Sequence, residues 1–377
     1  MLFFIAGLVL LPAYYFLISF YEYAYRQVSA FSSGDETAPG EKISVIIPAR
    51  NEERKIAHCV LSLLHQHYPS GLLEIIVVDD HSTDDTAGVV RQFERSGVKL
   101  ISLPEMSSPQ AVAFKKMAIQ AGIQAASGSL IVTTDADCIA GPDWIQSIAA
   151  YHRATGAVFI VSPVKIKPGK RLLSVFQSID FAILQGITAA GVHTGFHRMC
   201  NGANLAYERA AFFEVKGFEG IDHIASGDDM LLMEKIATQY PGGIAYLNSA
   251  SAIVETLPAA TWYEFFNQRI RWASKAGKYK DKRMIWVLLL VYLLNLSMAI
   301  LLVGALFKVY WLRLFLILAF YKCMVEWRFV KEVLQYFRLR QLMLWFPLFQ
   351  PLHIIYTALS GFFGIFGSYT WKGRKYG

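Results

Sequence analysis

The chain reads as an α/β domain with a mostly parallel central sheet, carried between apolar helices at both ends that are long enough to cross a bilayer. Three observations predict this. Short strand patterns alternate with helical periodicity through the middle of the 377 residues. Apolar residues make up 54% of the chain, with a mean hydropathy of +0.36, and they gather towards the two ends. Three strand patterns finish in polar residues, at the edge where sheets of this kind bind ligands.

Taken in order, Leu2 to Tyr21 is an almost uncharged apolar run of about the ~20 residues a spanning helix needs. No basic residue precedes it. Aromatic residues, not a small-residue cleavage site, follow at Tyr21 to Tyr25, so residues 1–25 read as an uncleaved anchor and not a signal peptide. Residues 26–41 form a polar linker bearing Gly and Pro. The α/β domain occupies 42–257. Its strands are expected at Ile43 to Pro48, Leu73 to Val78, Lys99 to Leu103 and Leu130 to Thr134. Its helices are expected at Glu53 to His67, where Ile56, Val60, Leu63 and Leu64 share a face, and at Lys115 to Ala126. Segment 258–283 mixes Trp, Tyr and Phe with Arg and Lys, the composition of an amphipathic interfacial helix. Region 284–371 holds two to three spans. Met284 to Leu306 is the strongest. Trp311 to Trp327 is weakened by Arg313, Lys322 and Glu326. Leu342 to Tyr369 carries Pro347, Pro351, His353 and several glycines, and reads as a kinked helix or a re-entrant pair.

The formal charge is +7, with a pI near 9.1. Many cations flank apolar segments and no Lys/Arg block is interleaved with aromatics, which points to membrane lipids and not to nucleic acid. Nothing in the sequence marks a protein partner. Arg26 follows the first span, and Arg269, Arg271, Lys275, Lys278, Lys280, Lys282 and Arg283 precede the second. By the positive-inside rule the α/β domain is then cytoplasmic, in a multi-pass protein of the inner or plasma membrane. Arg328, Lys331, Arg338 and Arg340 agree with this, whereas Lys372, Arg374 and Lys375 conflict with it if the last segment crosses once. Cys59, Cys138, Cys200 and Cys323 are far apart, giving neither a zinc pattern nor a disulfide framework. His65/His67 and His193/His197 have spacings a metal accepts, but no third ligand nearby.

The polar strand ends are Pro48-Ala49-Arg50-Asn51-Glu52 after the first strand, Asp79-Asp80 after the second and Asp135-Ala136-Asp137 after the fourth. In a strand, residues two apart point to one side, so Asp135 and Asp137 would face one spot and repel each other. Asp84 and Asp85 read as turn or cap residues. Neither G-x-G-x-x-G nor a P-loop is present. Asp228 and Asp229 stand at the start of a helix expected over Asp229 to Thr238. With Ser226 as N-cap they would be ordinary first-turn acids. Gln268, Arg271 and Trp272 lie at i, i+3 and i+4, one face of a helix.

Six motifs occur in order over residues 43–275: ISVIIPARNEERKI, VVDDHSTDDT, TTDADC, CNGANLAYERAAFFEVKGF, SGDDMLLMEKI and QRIRW. On these the sequence resembles the family 2 glycosyltransferases, which have the GT-A fold and use nucleotide-sugar donors. The resemblance implies that Pro48, Arg50 and Glu52 line the nucleoside pocket. It implies that Asp79 or Asp80 contacts the base, Asp80 being the better candidate. His81 stands where the motif usually has Gly. Lys115 would lie near the diphosphate, with Lys116 as rival and a plain surface lysine as the alternative. Asp135 and Asp137 would face the donor and a Mg2+ or Mn2+ ion. Asp229 would be the base that deprotonates the acceptor, with Asp228 where many relatives have Glu. Arg271 would neutralise the leaving diphosphate, and Gln268 and Trp272 would meet the acceptor. Q-x-x-R-W is typical of chitin-, hyaluronan- and poly-N-acetylglucosamine-type synthases and of ceramide glucosyltransferases. The expected function is therefore inverting, metal-dependent transfer of a hexosyl or N-acetylhexosaminyl group from a UDP-sugar or similar donor to a lipid-linked or glycan acceptor. A processive β-polysaccharide synthase is the alternative within the class. An inactive membrane scaffold and a nucleotidyltransferase are the alternatives outside it.

Overall fold

The computed structural model describes residues 2–32, 34, 40–104, 113–224, 227–275, 281–371 and 374–376. Lys278, Lys280, Lys372 and Ser226, and much of the expected linker, lie outside the described residues.

In chain order, α1 (Leu2–Gln27) precedes β1 (Ile43–Ala49), α2 (Ile56–Leu64), β2 (Leu73–Asp79), α3 (Thr86–Arg91), β3 (Val98–Ser102), α4 (Phe114–Ala125) and β4 (Leu130–Thr133). Then come β5 (Ile139–Ala140), α5 (Trp144–Thr155), β6 (Phe159–Val161), β7 (Val164–Ile166), α6 (Leu172–Thr194), β8 (Leu205–Glu208), α7 (Arg209–Glu214) and α8 (Asp228–Gln239). The chain continues through β9 (Ile244–Tyr246), β10 (Val254–Thr256), α9 (Trp262–Ala273), α10 (Lys282–Gly304), α11 (Val309–Tyr336) and α12 (Phe346–Phe366), and ends in a short hairpin, β11 (Tyr369–Trp371) and β12 (Arg374–Tyr376).

These elements form two compact units. The sheet unit comprises Val28–Lys165 and Arg198–Leu257. Its main sheet runs β3-β2-β1-β4-β8-β6-β9. β3, β2, β1 and β4 are mutually parallel, β8 is antiparallel to both neighbours, and β6 and β9 are parallel. Strands β1, β2 and β4 are buried almost throughout, as expected of parallel strands covered on both faces. The strand order reverses at β1, whose neighbours are β2 on one side and β4 on the other. The crevice outside the carboxyl ends at such a reversal is the usual ligand position. Pro48 opens that crevice. Ile46 is the last residue of β1 registered with β4, and its carbonyl accepts the Thr134 N–H. Alternation turns Pro48 to the same side, past the end of that ladder, where its missing N–H leaves no orphan.

The helical unit comprises Met1–Gln27, Ile166–His197 and Pro258–Gly377. Among its described helices α1 packs on α6, α10 and α11, and α12 packs on α9 and α10. A glycine permits one of the close approaches. A Cβ on Gly186 of α6 would fall 2.4 Å from a Val333 methyl of α11. Four described helices are long and apolar enough to cross a membrane: Leu2–Gln27, Leu172–Thr194, Lys282–Gly304 and Arg340–Phe366. The second of these, α6, was not expected. Residues 166–197 cluster with the terminal helices, whereas the sequence reading placed them inside a continuous domain 42–257. Trp311 to Trp327 becomes part of the longer helix α11, which carries too many charges to join the four.

Candidate active site

In the sheet unit, the loops after β1 and β2 are stitched together. The Arg50 guanidinium donates to the carbonyls of Asp80 (2.7 Å) and His81 (3.0 Å), and lies 4.0 Å from the Asp80 carboxylate. The Asn51 side chain accepts the Thr83 N–H at 2.8 Å, and the Glu52 N–H donates to the Thr86 hydroxyl at 2.8 Å. Asn51 and His81 both take left-handed backbone, with φ of 53° and 54°. Glu52, Asp79 and Asp80 are buried. Asp84 has a local structural part. Its carboxylate accepts the N–H groups of Glu53 and Thr86 and the Thr86 hydroxyl.

Asp135, Ala136 and Asp137 lie past the end of β4, not within it, in a turn closed by the Cys138 N–H donating to the Asp135 carbonyl at 3.0 Å. Strand alternation therefore does not govern the pair. The two carboxylates meet different cations: Lys115 is 2.8 Å from Asp135, and Lys55 is 3.6 Å from Asp137 and 3.5 Å from Glu52. Lys55 was missed in the sequence, although its place three residues after Glu52 was a signal.

Lys115 also lies 3.3 Å from Asp228, so it joins the end of β4 to the start of α8. Burial alone would lower its pKa. The charges of Asp135, Asp228 and Asp229 more than reverse this and hold the ammonium strongly protonated. Lys116, the rival, is 2% exposed and donates to the carbonyls of Ile221 (2.6 Å) and Ile224 (2.7 Å), tethering the stretch before α8. Helix α8 begins at Asp228, one residue earlier than expected. Gly227, at φ 80°, holds its N-cap position with no side-chain cap. Asp229 accepts the Met230 N–H (2.8 Å) and the Gly202 N–H (3.2 Å), and it makes no ion pair among the described residues. Gly202 allows this approach, since a Cβ there would sit 3.3 Å from both the Lys115 ammonium and the Asp228 carboxylate.

Among the described residues no group of three or more His, Cys, Asp and Glu converges on one point. His67 meets Asp143 at 2.9 Å, and His65 bonds the Leu61 carbonyl. Asp135 and Asp137 nevertheless suit a hard divalent cation. They are partly exposed, at 36% and 27%, and offer only oxygen. Mg2+ and Mn2+ commonly use one or two carboxylates and take their remaining ligands from phosphates and water. Burial, followed by the Asp137 and Asp135 charges, pushes the Cys59 thiol up, so it is no thiolate nucleophile.

Gln268, Arg271 and Trp272 lie on α9, in the helical unit, and share a helix face. The buried cation of this helix is Arg269, which the sequence reading passed over. At 3% exposure it pairs with Asp180 of α6 at 2.7 Å, and its guanidinium lies 4.2 Å over the Trp272 ring. Tyr356 of α12 donates to the other Asp180 oxygen at 2.6 Å. Three helices thus meet on one carboxylate.

Comparisons with known proteins agree with this architecture. Residues 44–213 match the profile described as glycosyl transferase family 2, and residues 130–365 that of glycosyl transferase family group 2. The chain is 29% identical over 240 residues to the probable glycosyltransferase YdaM of Bacillus subtilis, covering 62% of this chain and 54% of that one. It is 26% identical over 227 residues to a 4,4'-diaponeurosporenoate glycosyltransferase of Staphylococcus aureus, covering 60% and 55%. The chain thus spans about half the length of these relatives. The fold is similar to that of the mannosyltransferase PcManGT from Pyrobaculum calidifontis, with a TM-score of 0.61 at 19% identity, covering 96% of this chain and 99% of that one. The sheet with its polar strand ends at β1, β2 and β4, and a family match over more than half its length, place the chain in the family 2 glycosyltransferases.

Proposed function

We propose that the protein is an inverting glycosyltransferase that moves a sugar from a nucleotide-diphosphate donor to a membrane-associated lipid or glycan acceptor at the cytoplasmic face. One observation carries the reading: Lys115 ties the acidic turn after β4 to the acidic start of α8. The group expected to meet the donor diphosphate and the immediate neighbour of the group expected to activate the acceptor are thereby held on one ammonium.

Arg50, Glu52 and Asp80, bound to each other's loops, form the wall against which the base rests. Asp135 and Asp137 would hold Mg2+ or Mn2+, which when bound supplies positive charge to the departing nucleoside diphosphate. Asp228, paired with Lys115, keeps its charge engaged. Asp229 takes the acceptor's proton as the hydroxyl attacks the anomeric carbon. Its two oxygens are oriented by backbone N–H groups, and it makes no ion pair among the described residues. One displacement with one base inverts the anomeric centre. Arg271 is proposed to offset the leaving diphosphate, and Gln268 and Trp272 to meet the acceptor. The four long apolar helices and the relative named for diaponeurosporenoate support a membrane acceptor. The mannosyltransferase PcManGT, similar to this chain in fold and solved in complex with GDP-Man and Mn2+, supports a nucleotide-sugar and divalent-metal chemistry.

The test is transfer in membranes with a panel of UDP-, GDP- and dTDP-sugars and Mg2+ or Mn2+, with Asp229→Asn as blank. A product that migrates with lipid is expected. A water-soluble polymer would replace this reading with a processive synthase. Transfer by Asp229→Asn at the wild-type rate would remove Asp229 as base.

A further inference from the structure

Helix α6 leaves one sheet and returns to it. Val161, the last residue of β6, is registered opposite Leu205, the first of β8. A segment that leaves and rejoins one ladder crosses a membrane an even number of times or not at all. Among the described residues between these two, only α6 is long and apolar enough to cross. It therefore does not cross, despite its length.

Depth within the helical unit can be read from its contacts. α10 and α11 pack together, are joined through residues 305–308 and run in opposite directions. Gly7 of α1, Ser297 of α10 and Leu318 of α11 mark one level, since a Cβ on Gly7 would fall 2.6 Å from a Leu318 methyl and 3.3 Å from the Ser297 hydroxyl oxygen. Further from the joining loop, Lys322 and Glu326 lie about 6 and 12 Å beyond this level, and Tyr292 about 8 Å beyond it. α12 touches both helices at that depth. Gln350 accepts from Lys322 at 2.9 Å and donates to Glu326 at 2.7 Å, and a Cβ on Gly361 would fall 2.5 Å from the Tyr292 ring. From Gln350 to Gly361 the helix advances about 16 Å along its own axis. It gains almost no depth, so it runs across the bundle and not along it. A Cβ on Gly364 would then lie 2.7 Å from Ala273 Cβ at the end of α9, and β11 packs on α9 as well. α9 follows β10 closely and precedes α10, so these contacts lie on the sheet unit's side of the α10 crossing.

α11, by contrast, suits hydrocarbon. Lys322 and Glu326 are 0% and 7% exposed and pair at 2.6 Å, while Tyr14 and Gln350 complete the bonds of the carboxylate. The outward residues Leu316, Phe320 and Met324 are apolar.

We propose that, among the described helices, only α1, α10 and α11 cross the membrane, while α6 and α12 lie in the leaflet on the sheet unit's side. There the exposed residues Leu348, Ile355, Leu359, Phe362 and Phe366, which share one face of α12, meet acyl chains. This rests on the reading above that the protein is embedded in a membrane, but not on the reaction proposed for it. The tail then ends on the same side as Arg26 and Arg328, which removes the conflict posed by Arg374 and Lys375.

The experiment labels the full chain with a membrane-impermeant maleimide in right-side-out and in inverted membrane vesicles. It uses Arg95→Cys on the sheet unit, Lys308→Cys between α10 and α11, and a cysteine appended after Gly377. The first two positions are exposed, and wild type supplies the background of the native cysteines. The appended cysteine is expected to label in the same vesicles as Arg95→Cys, and Lys308→Cys only in the opposite ones. An appended cysteine that labels with Lys308→Cys means that α12 crosses, and overturns the proposal. Lys308→Cys labelling with Arg95→Cys removes the α10 and α11 crossings, and overturns it too. Arg95→Cys labelling in right-side-out vesicles would refute the cytoplasmic placement of the sheet unit, yet an appended cysteine that follows it there would still support α12 as a helix of one leaflet. The expected pattern in a protein that transfers no sugar would likewise refute the enzyme reading and support this one.

Discussion

Replacing Asp180 with asparagine tests the helical unit at its most charged point. The Asp180 carboxylate is 4% exposed, pairs with Arg269 at 2.7 Å and accepts the Tyr356 hydroxyl at 2.6 Å. Asparagine keeps the shape and an accepting oxygen but removes the charge. Arg269, itself 3% exposed, is then left with the rings of Trp272, Phe265 and Tyr356 at 4.2, 4.9 and 5.7 Å. Cation–π attraction is worth about 0.5–2 kcal/mol per ring and does not replace a counter-ion. Breaking a buried pair from one side costs about 3–5 kcal/mol, because a charge stays behind without compensation. At about 2–4 °C per kcal/mol for a domain of ~150–250 residues, Tm should fall by roughly 6–20 °C. Tryptophan fluorescence is the natural probe, since Trp272 lies against Arg269. Arg269→Met in the same chain removes the stranded charge, so the double variant should be more stable than the sum of the two single changes by about 2 kcal/mol or more. Additive losses, or a shift of less than about 2 °C for Asp180→Asn alone, would refute the view that this pair joins α6, α9 and α12.

Four further outcomes are expected. Asp137→Ala should weaken metal-dependent donor binding, and unchanged affinity in titrations with and without Mn2+ would count against the metal assignment. Lys116→Met should lower thermal stability by about 1–3 kcal/mol, through the loss of its hydrogen bonds to the carbonyls of Ile221 and Ile224, with donor affinity little changed. Lys115→Met should weaken donor binding about tenfold or more, and a reversed pattern would exchange the roles of the two lysines. The His152 pKa is raised, chiefly by its hydrogen bond to Glu41 against the opposing effect of burial, with Glu208 assisting. Its stabilising contribution is therefore full below the ordinary histidine value of about 6.5 and is lost as pH rises through the raised one. The Tm gap between wild type and His152→Gln should be widest near pH ~6 and close in mildly alkaline buffer, and a gap that widens with pH would reverse the assignment.

Much of the sheet unit was legible because its signals are local. A strand that ends in Asp79-Asp80 announces its edge within a few residues, and so does a Pro48 just past the end of the ladder with β4. The element limits moved by one to three residues where periodicity was the sole signal. Helix α2 begins at Ile56, after a turn, and not at Glu53. What the residues around Asp135 and Asp137 could not disclose was their partners. Lys55 and Lys115 reach them from elements distant in the chain, and a strand-alternation argument has no term for a turn closed by Cys138. The choice between Lys115 and Lys116 was likewise undecidable from sequence. Adjacent helix positions point about 100° apart, and only the fold tells which one faces the acids.

Helix α6 was concealed by the residue that secures it. LLSVFQSIDFAILQGITAAGVHT is long enough to cross a bilayer, but Asp180 interrupts its apolar run near the middle, and an unpaired carboxylate there would be prohibitive in hydrocarbon. Read alone, that acid assigns the segment to the globular domain. The charge is tolerable because Arg269 answers it from α9 and Tyr356 from α12. The same exchange explains why Arg269 was passed over. A cation beside Arg271 in a basic, aromatic-rich helix looks like one more interfacial charge until its partner is known. Hydropathy scores each residue against solvent or lipid, whereas these two residues are solvated by each other. A paired acid and base in different apolar segments is therefore the pattern to seek when an α/β domain of this family is interrupted by a long helix.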